Sequence, residues 1–306
     1  MPCERILLVG GGGFIGRALG RRLTAEGREV HALSRHLAPG VADGVVFHRG
    51  CQSDGTITAP LLQRCDAVVH LAAATTPGRS AHSPLLDVAE NLAPFAAFLE
   101  ALAAAGSRRV IFLSSGGAIY GNPPHLPARE DHPLLPLSYH AAGKAAAELL
   151  LGVFARQSDD TSLAILRPSN VYGPGQPVQA GFGIVRTLLE KARCRAPVDI
   201  WGSGRQVRDF LYIDDLVDVC TALLDKPSVR GTFNAGSGEG VSLLELVELV
   251  RQVTRQTLPI QLLPERGIDV EGIYLDCSQL RGRLGWTATT TLAEGLERTW
   301  TWLQDQ

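Results

Sequence analysis

The sequence predicts an α/β protein, a doubly wound parallel sheet with a smaller C-terminal region built onto it. Three observations carry this. Short apolar runs alternate with helical stretches through the first half. A glycine-rich turn joins the first run to the first helix. After Arg167 the texture changes to turns, shorter strands and separate helices. The division falls at 1–170 and 171–306, with the second region discontinuous and returning segments to the sheet.

Arg5–Val9 reads as a strand and Gly16–Glu26 as a helix ending at Gly27. Glu29–Leu33, the weaker Val45–His48 and the apolar Ala67–Ala72 follow as strands. A long helix is expected over Leu85–Ala105 with Gly106 as its stop, then a strand at Arg109–Ser114. A proline-rich loop, Asn122–Pro136, precedes a helix from Ser138 to Gln157, and Leu163–Leu166 reads as a sixth strand. Further helices are expected near Gly183–Lys191, Asp215–Asp225, Leu243–Thr254 and Leu292–Trp302, with turns at Tyr172–Pro177 and Trp201–Arg205.

Composition narrows the function classes. At 306 residues, 45% hydrophobic and with a net charge of −2, the chain has apolar content for a core of real size and is not expected to be disordered. Twenty-nine Lys and Arg against 31 Asp and Glu leave no basic excess for nucleic acid. No apolar run is expected to reach the length of a membrane helix, and no membrane partner is expected. The start, MPCERILLVGGGG, enters a strand at once and reads as no signal peptide. Cys3, Cys51, Cys65, Cys194, Cys220 and Cys277 form no C-x-x-C pair, so free thiols in a reducing cytoplasm are expected and no metal site.

The turn after the first strand is Gly10-Gly11-Gly12-Gly13-Phe14-Ile15-Gly16. Glycines admit a pyrophosphate close to the backbone, and the helix N-terminus supplies free N–H groups and a positive dipole end. At the end of the second strand, Ser34 and Arg35 stand where NAD-binding versions of this turn usually place an acid for the ribose 2′-hydroxyl. A hydroxyl followed by a guanidinium suits a 2′-phosphate, so NADP(H) is favoured over NAD(H). The alternative is that Arg35 covers the adenine or points to solvent.

Motifs spread nearly end to end carry a resemblance. They are VGGGGFIG, VVHLAA at Val68–Ala73, the helical Asn91, LSSGGAIYG at Leu113–Gly121 and LRPSNVYGPGQ at Leu166–Gln176. WGSGRQVRDFLYIDDL at Trp201–Leu216, NAGSGEGVSLLEL at Asn234–Leu246, RGIDV at Arg266–Val270 and LDCSQLRGRLGW at Leu275–Trp286 complete them. The sequence resembles the extended short-chain dehydrogenase/reductases of the nucleotide-sugar epimerase/dehydratase/reductase group. The resemblance implies a Rossmann-type fold. It implies that Leu71, Ala72 and Ala73 pass under the cofactor. It further implies that Ser115, or alternatively Ser114, hydrogen-bonds the reacting sugar oxygen. Asn170, Arg208 and Arg266 are implied to hold the substrate's nucleotide diphosphate. A homodimer through the Leu85–Ala105 and Ser138–Gln157 helices is implied as well.

One departure matters. The family's signature is Tyr-x-x-x-Lys, in which the Tyr passes a proton and the Lys holds the ribose. Here Tyr139 lies five residues before Lys144, and the residue four before it is His140. On a regular helix positions four apart lie about 40° apart around the axis, and positions five apart about 140°. His140 therefore shares a face with Lys144 while Tyr139 points elsewhere. Three readings stand: His140 replaces the Tyr, Tyr139 serves through a distorted helix start, or a water, the substrate or Ser115 supplies the proton or catalysis is lost. Gly116-Gly117 occupy the place of a dehydratase's acidic pair, which argues against dehydration. The expected activity is an NADP(H)-dependent ketoreductase on a 4-keto nucleotide sugar. A nucleotide-sugar 4-epimerase, or a non-catalytic cofactor-binding or sensor protein, is the alternative.

Overall fold

The computed structural model describes residues 4–36, 44–106, 109–158, 161–178, 183–267 and 269–306; Cys3 lies outside them. In chain order the first elements are β1 (Arg5–Val9), α1 (Phe14–Ala25), β2 (Glu29–Ser34), β3 (Val45–Arg49), α2 (Gly55–Arg64) and β4 (Ala67–His70). Next come α3 (Pro84–Asp87), a π-type turn (Val88–Leu92), α4 (Ala93–Ala105), β5 (Arg109–Leu113), α5 (Tyr139–Gln157) and β6 (Ser162–Pro168). The remainder is β7 (Asn170–Tyr172), α6 (Ile184–Arg193), β8 (Val198–Trp201), β9 (Val207–Arg208), β10 (Phe210–Tyr212) and α7 (Ile213–Asp225). It continues with β11 (Gly231–Ala235), β12 (Val241–Ser242), α8 (Leu243–Thr254), β13 (Ile260–Leu263), α9 (Ser278–Leu284) and α10 (Leu292–Gln304).

Seven strands form one sheet in the order β11-β6-β5-β4-β1-β2-β3, and the run from β6 to β3 is parallel throughout. The chain reverses direction across the sheet at β1, which lies between β2 and β4. That switch point leaves a crevice beyond the C-terminal ends of β1 and β4, the place where such sheets take ligands. Gly10 N donates to Leu33 O and Leu71 N to Val9 O, each at 2.8 Å, so both crevice loops are held to the sheet.

The chain divides into two units, each made of three separate segments of the sequence. One comprises Met1–Ser114, Tyr139–Arg167 and Val217–Phe233, and the other Ser115–Ser138, Pro168–Leu216 and Asn234–Gln306. The interleaving follows from the sheet, whose last strand, β11, is supplied after the excursion through β7–β10. The second unit carries three two-stranded pairings, β7 with β10, β9 with β12 and β8 with β13.

Element bounds follow the sequence pattern closely, with two helices and the last sheet strand, β11, not read from it. In α2 an internal Pro60 masks the helical period, although Asp54 caps it by accepting from Thr56 N at 3.0 Å. The short α9 has only Leu280 buried and so little periodicity to read. One expectation is corrected. Pro84–Ala105 is a single run of 22 helical residues, long and apolar enough by composition to cross a membrane. Its place in the fold is that of a crossover between β4 and β5, and it packs against α2 while Phe95, Phe98, Leu99 and Leu102 are buried in the core.

That core also encloses a histidine. His70 ends β4 with its ring 5.0, 5.1 and 5.4 Å from those of Phe95, Phe98 and Phe112. Its Nε2 pairs with Gln52 Oε1. Burial, reinforced by Lys144, pushes its pKa down to about 3. Below about pH 6.5 the unfolded imidazole takes a proton that the folded one refuses until about pH 3. Stability is therefore lost as pH falls through that window, by up to about 1.4 kcal/mol per pH unit. In H70Q, urea unfolding followed from about pH 6 to 4 should show a stability slope smaller by one proton than in the parent; an equal slope would refute the assignment.

Candidate active site

The glycine turn has the shape a dinucleotide pyrophosphate requires. Gly10 has φ of 86°, and a Cβ there would stand 2.7 Å from Ala72 N, so β1 and the β4 loop approach too closely for any side chain. A Cβ on Gly16 would meet Gly11 Cα at 2.5 Å, which ties α1 down onto the turn. Gly13 is exposed at the N-cap of α1, where no described side chain caps the helix and no acid occupies the first turn. The amides of Phe14 and Ile15 open that helix. Its positive end is therefore available to phosphate oxygens.

At the end of β2, Ser34 is half-buried and Arg35 exposed. Arg35 Nη1 lies 3.4 Å from Glu90 Oε2, and Arg79 Nη2 lies 3.6 Å from the other oxygen of the same carboxylate. Arg79 also donates to Ala74 O at 2.9 Å, just beyond Leu71, Ala72 and Ala73. Two guanidiniums thus share one carboxylate, a locally positive cluster. Arg79 was missed by the sequence reading because it is 44 positions from Arg35 and belongs to no motif.

Helix α5 begins at Tyr139 and is regular, so the helical period decides which side chains face inward. His140 and Lys144 line a cavity of about 20 Å³ with His70, Asp87, Asn91 and Gly143. Tyr139 is 45% exposed and lies outside that lining, whereas the His140 side chain is 12% exposed. Lys144 donates to Leu113 O at 2.8 Å and lies over the Phe112 ring. Burial pushes the Lys144 ammonium down to about 8, with Asp87 and Glu148 opposing the shift.

His140 has a partner that no motif announced. Its Nδ1 lies 3.0 Å from Thr75 Oγ1 and 3.8 Å from Asp87 Oδ1. Thr75 Oγ1 donates to Asp87 Oδ1. Asn91 Nδ2 donates to Thr75 Oγ1 at 2.7 Å and to Asp87 Oδ1 at 2.9 Å, while its own Oδ1 accepts from Ala74 N at 2.7 Å. Burial raises the Asp87 carboxyl, but the neighbouring His140 and the hydrogen bonds from Thr75 and Asn91 outweigh it and hold the group below the usual Asp value. A Cβ on Gly143 would collide with Asp87 Oδ2, so the carboxylate fits only because that helical position is bare.

In the second unit Ser115 is half-buried and its carbonyl accepts from Ile119 N at 3.3 Å. Asn170 Nδ2 donates to Asp209 O at 2.9 Å. Arg266 grips Asp269 with Nε and Nη2 at 2.7 and 2.9 Å and lies over the Trp201 ring. Arg208 is half-buried nearby; burial lowers its pKa, Asp269 opposes the shift and Arg266 adds to it. Two guanidiniums are therefore within electrostatic reach of each other, and among the described residues Asp269 is paired with Arg266 alone, a net positive arrangement suited to an anionic ligand.

A protein-family profile described as "NAD dependent epimerase/dehydratase family" matches residues 6–236. A UDP-glucose 4-epimerase of Mycolicibacterium smegmatis is 32% identical over 305 residues, covering 96% of this chain and 97% of that protein. A dTDP-4-dehydro-6-deoxyglucose reductase of Escherichia coli is 29% identical over 305 residues, covering 96% and 95%. The crystal structure of a Thermus thermophilus UDP-glucose 4-epimerase in complex with NAD superposes with a TM-score of 0.91 at 32% identity, covering 98% of this chain and 99% of that one.

Gly143→Ala should destabilise the protein by about 1–3 kcal/mol, because the new methyl displaces the buried Asp87 carboxylate. Gly152→Ala, on the same helix, meets only the tip of Arg156 at 3.7 Å. It should stabilise by up to about 1 kcal/mol through helix propensity. Thermal and urea unfolding of the two variants decide this, and equal effects would contradict the packing described.

Proposed function

Since this chain belongs to the NAD dependent epimerase/dehydratase family, we propose that it is an NADP(H)-dependent ketoreductase acting on a 4-keto nucleotide sugar. The observation that carries the reading is the shared inward face of His140 and Lys144, with Tyr139 outside it. When bound, the nicotinamide supplies a hydride to the keto carbon. His140, or a water it holds, gives the proton to the keto oxygen, so one proton is consumed for each alcohol formed. Ser115 orients that oxygen, as the family resemblance implies. Lys144 donates to the cofactor ribose. Gly10, Gly13, Phe14, Ile15 and Gly16 cradle the pyrophosphate, and Leu71, Ala72 and Ala73 pass beneath the cofactor. Asn170, Arg208 and Arg266 hold the nucleotide diphosphate of the substrate.

Reduction is favoured over dehydration by Gly116-Gly117, which offer no acid beside Ser115. NADP(H) is favoured by Ser34 and by Arg35 with Arg79, whose combined charge exceeds that of Glu90. A 4-epimerase is the second reading, supported by the 4-epimerases among the relatives and by the ability of a neutral His140 to take a hydroxyl proton. Retention of two arginines at the diphosphate position argues against a non-catalytic sensor. A second copy of the chain is the proposed partner. Leu85 and Val88 on the Pro84–Ala105 helix, and Leu149, Leu150 and Val153 on α5, are exposed apolar side chains that a homodimer would cover. The free thiols at Cys51, Cys65, Cys194, Cys220 and Cys277 suit a reducing, cytoplasmic setting.

NADPH oxidation with a 4-keto nucleotide sugar tests the activity. His140→Ala should lower turnover by about 10²–10⁴-fold, while Tyr139→Phe should leave it unchanged; the opposite pattern would assign the proton to Tyr139. Conversion of a nucleotide hexose to its 4-epimer with no net NADPH consumption would establish the second reading instead. Arg35→Ala should weaken NADPH binding by about tenfold or more and leave NADH unaffected. Equal affinity for the two cofactors in the parent protein would overturn the preference.

A further inference from the structure

The proton inventory around Thr75 has only one consistent solution. A hydroxyl carries a single proton, and Thr75 commits it to Asp87 Oδ1. If the hydroxyl pointed at His140 instead, its lone pairs would face an ionised carboxylate oxygen at hydrogen-bond contact. Asp87 is held below the usual carboxylate range, so it is an acceptor alone. Asn91 approaches Thr75 with its amino group, because its oxygen is occupied by Ala74 N. The remaining contact, 3.0 Å to His140 Nδ1, must therefore be a donation from the ring into Thr75 Oγ1. Nδ1 keeps its proton whether the imidazole is neutral or charged. Nε2 makes no hydrogen bond to the described residues.

We propose that Asp87, acting through the Thr75 hydroxyl, is the positioning residue that locks His140 as the Nδ1–H tautomer and leaves Nε2 as the nitrogen that exchanges a proton with the sugar. The assignment rests on the reading of His140 as the acid–base group. Orientation and tautomer are fixed together: a flipped ring would put Cδ2 in place of Nδ1 and lose the hydrogen bond, and the other tautomer would put a bare nitrogen against an oxygen whose lone pairs face it. The bare position at Gly143 is part of the same device, because it admits the carboxylate. Asp87, Lys144 and His70 are the other ionisable groups facing the cavity, and His70 stays neutral down to about pH 3. A neutral ring locked this way takes a proton at Nε2, and a charged ring gives one from Nε2. One geometry thus serves either direction of hydride transfer.

Long-range proton–nitrogen spectra of the histidine-labelled full chain test this directly, with the His140 signals assigned by their loss in His140→Ala. The parent should show a protonated Nδ1 and a bare Nε2 above the titration of the ring. Thr75→Val should release the lock, giving mixed or Nε2–H signals, and should lower turnover about 10–100-fold with little change in KM for the nucleotide sugar. Thr75→Ser should keep the parent tautomer. Asp87→Asn, should Thr75→Val fail to fold, should move the alkaline limb of the pH–rate profile for reduction to lower pH, since the carboxylate no longer favours the charged ring that gives the proton. An Nε2–H tautomer in the parent would overturn the inference. So would a Thr75→Val or Asp87→Asn protein with parental turnover and pH profile while His140→Ala has lost activity. If His140→Ala keeps full turnover, the acid–base reading falls, and the tautomer spectrum still decides the lock by itself.

Discussion

A carboxylate removed from water must be surrounded by donors, and Asp87 makes that demand at the centre of the first unit. It is 2% exposed, and Thr75, Asn91 and His140 meet it from the β4 loop, the π-type turn and α5. An unpaired charge in that position would be strongly destabilising, so the three segments are bound to one arrangement. The bare Gly143 and the inward His140 are consequences of the same packing. The π-type turn that carries Asn91 belongs to a class of local widening often found beside functional groups.

The second organising constraint is the point where the sheet reverses. β1 and β4 end side by side, and their following loops press together so tightly that Gly10 tolerates no Cβ. The result is a shallow cradle with the open end of α1 on one side and Leu71–Ala73 on the other. Lys144 is tied to the end of β5 through Leu113 O, which places its ammonium at the same edge of the sheet. The cradle presents backbone amides before side chains. That is why the turn requires glycine more than any particular side chain.

Charge in this protein is local. A net charge of −2 says nothing of the paired guanidiniums at Arg35 and Arg79, or of Arg208 beside Arg266. Among the described residues Glu90 pairs with both Arg35 and Arg79, whereas Asp269 pairs with Arg266 alone and Arg208 donates to Val207 O, so each cluster holds two guanidiniums against one carboxylate and leaves positive charge for an anionic ligand. Lys144 lies in the opposite regime, where burial rather than a partner governs its proton.

The sequence by itself determined six of the seven sheet strands, the glycine turn and the face on which His140 and Lys144 lie. These depend on short-range periodicity: alternation of apolar runs, a turn that only glycine can make, and the residue repeat of a helix. It also placed Tyr139 on the outside of α5, since five positions carry a side chain well around the axis. Only the tertiary structure brought Asp87 and Thr75 to His140, set Arg79 against Glu90, interleaved the two units and turned the apolar Pro84–Ala105 run into a crossover helix. Asp87 and His140 are 53 positions apart, and Thr75 and His140 are 65 apart, so no local pattern links them. The hydrogen-bond partners of a ring are set by neighbours in space, so the facing of His140 could be read from the chain and its contacts with Thr75 and Asp87 only from the fold.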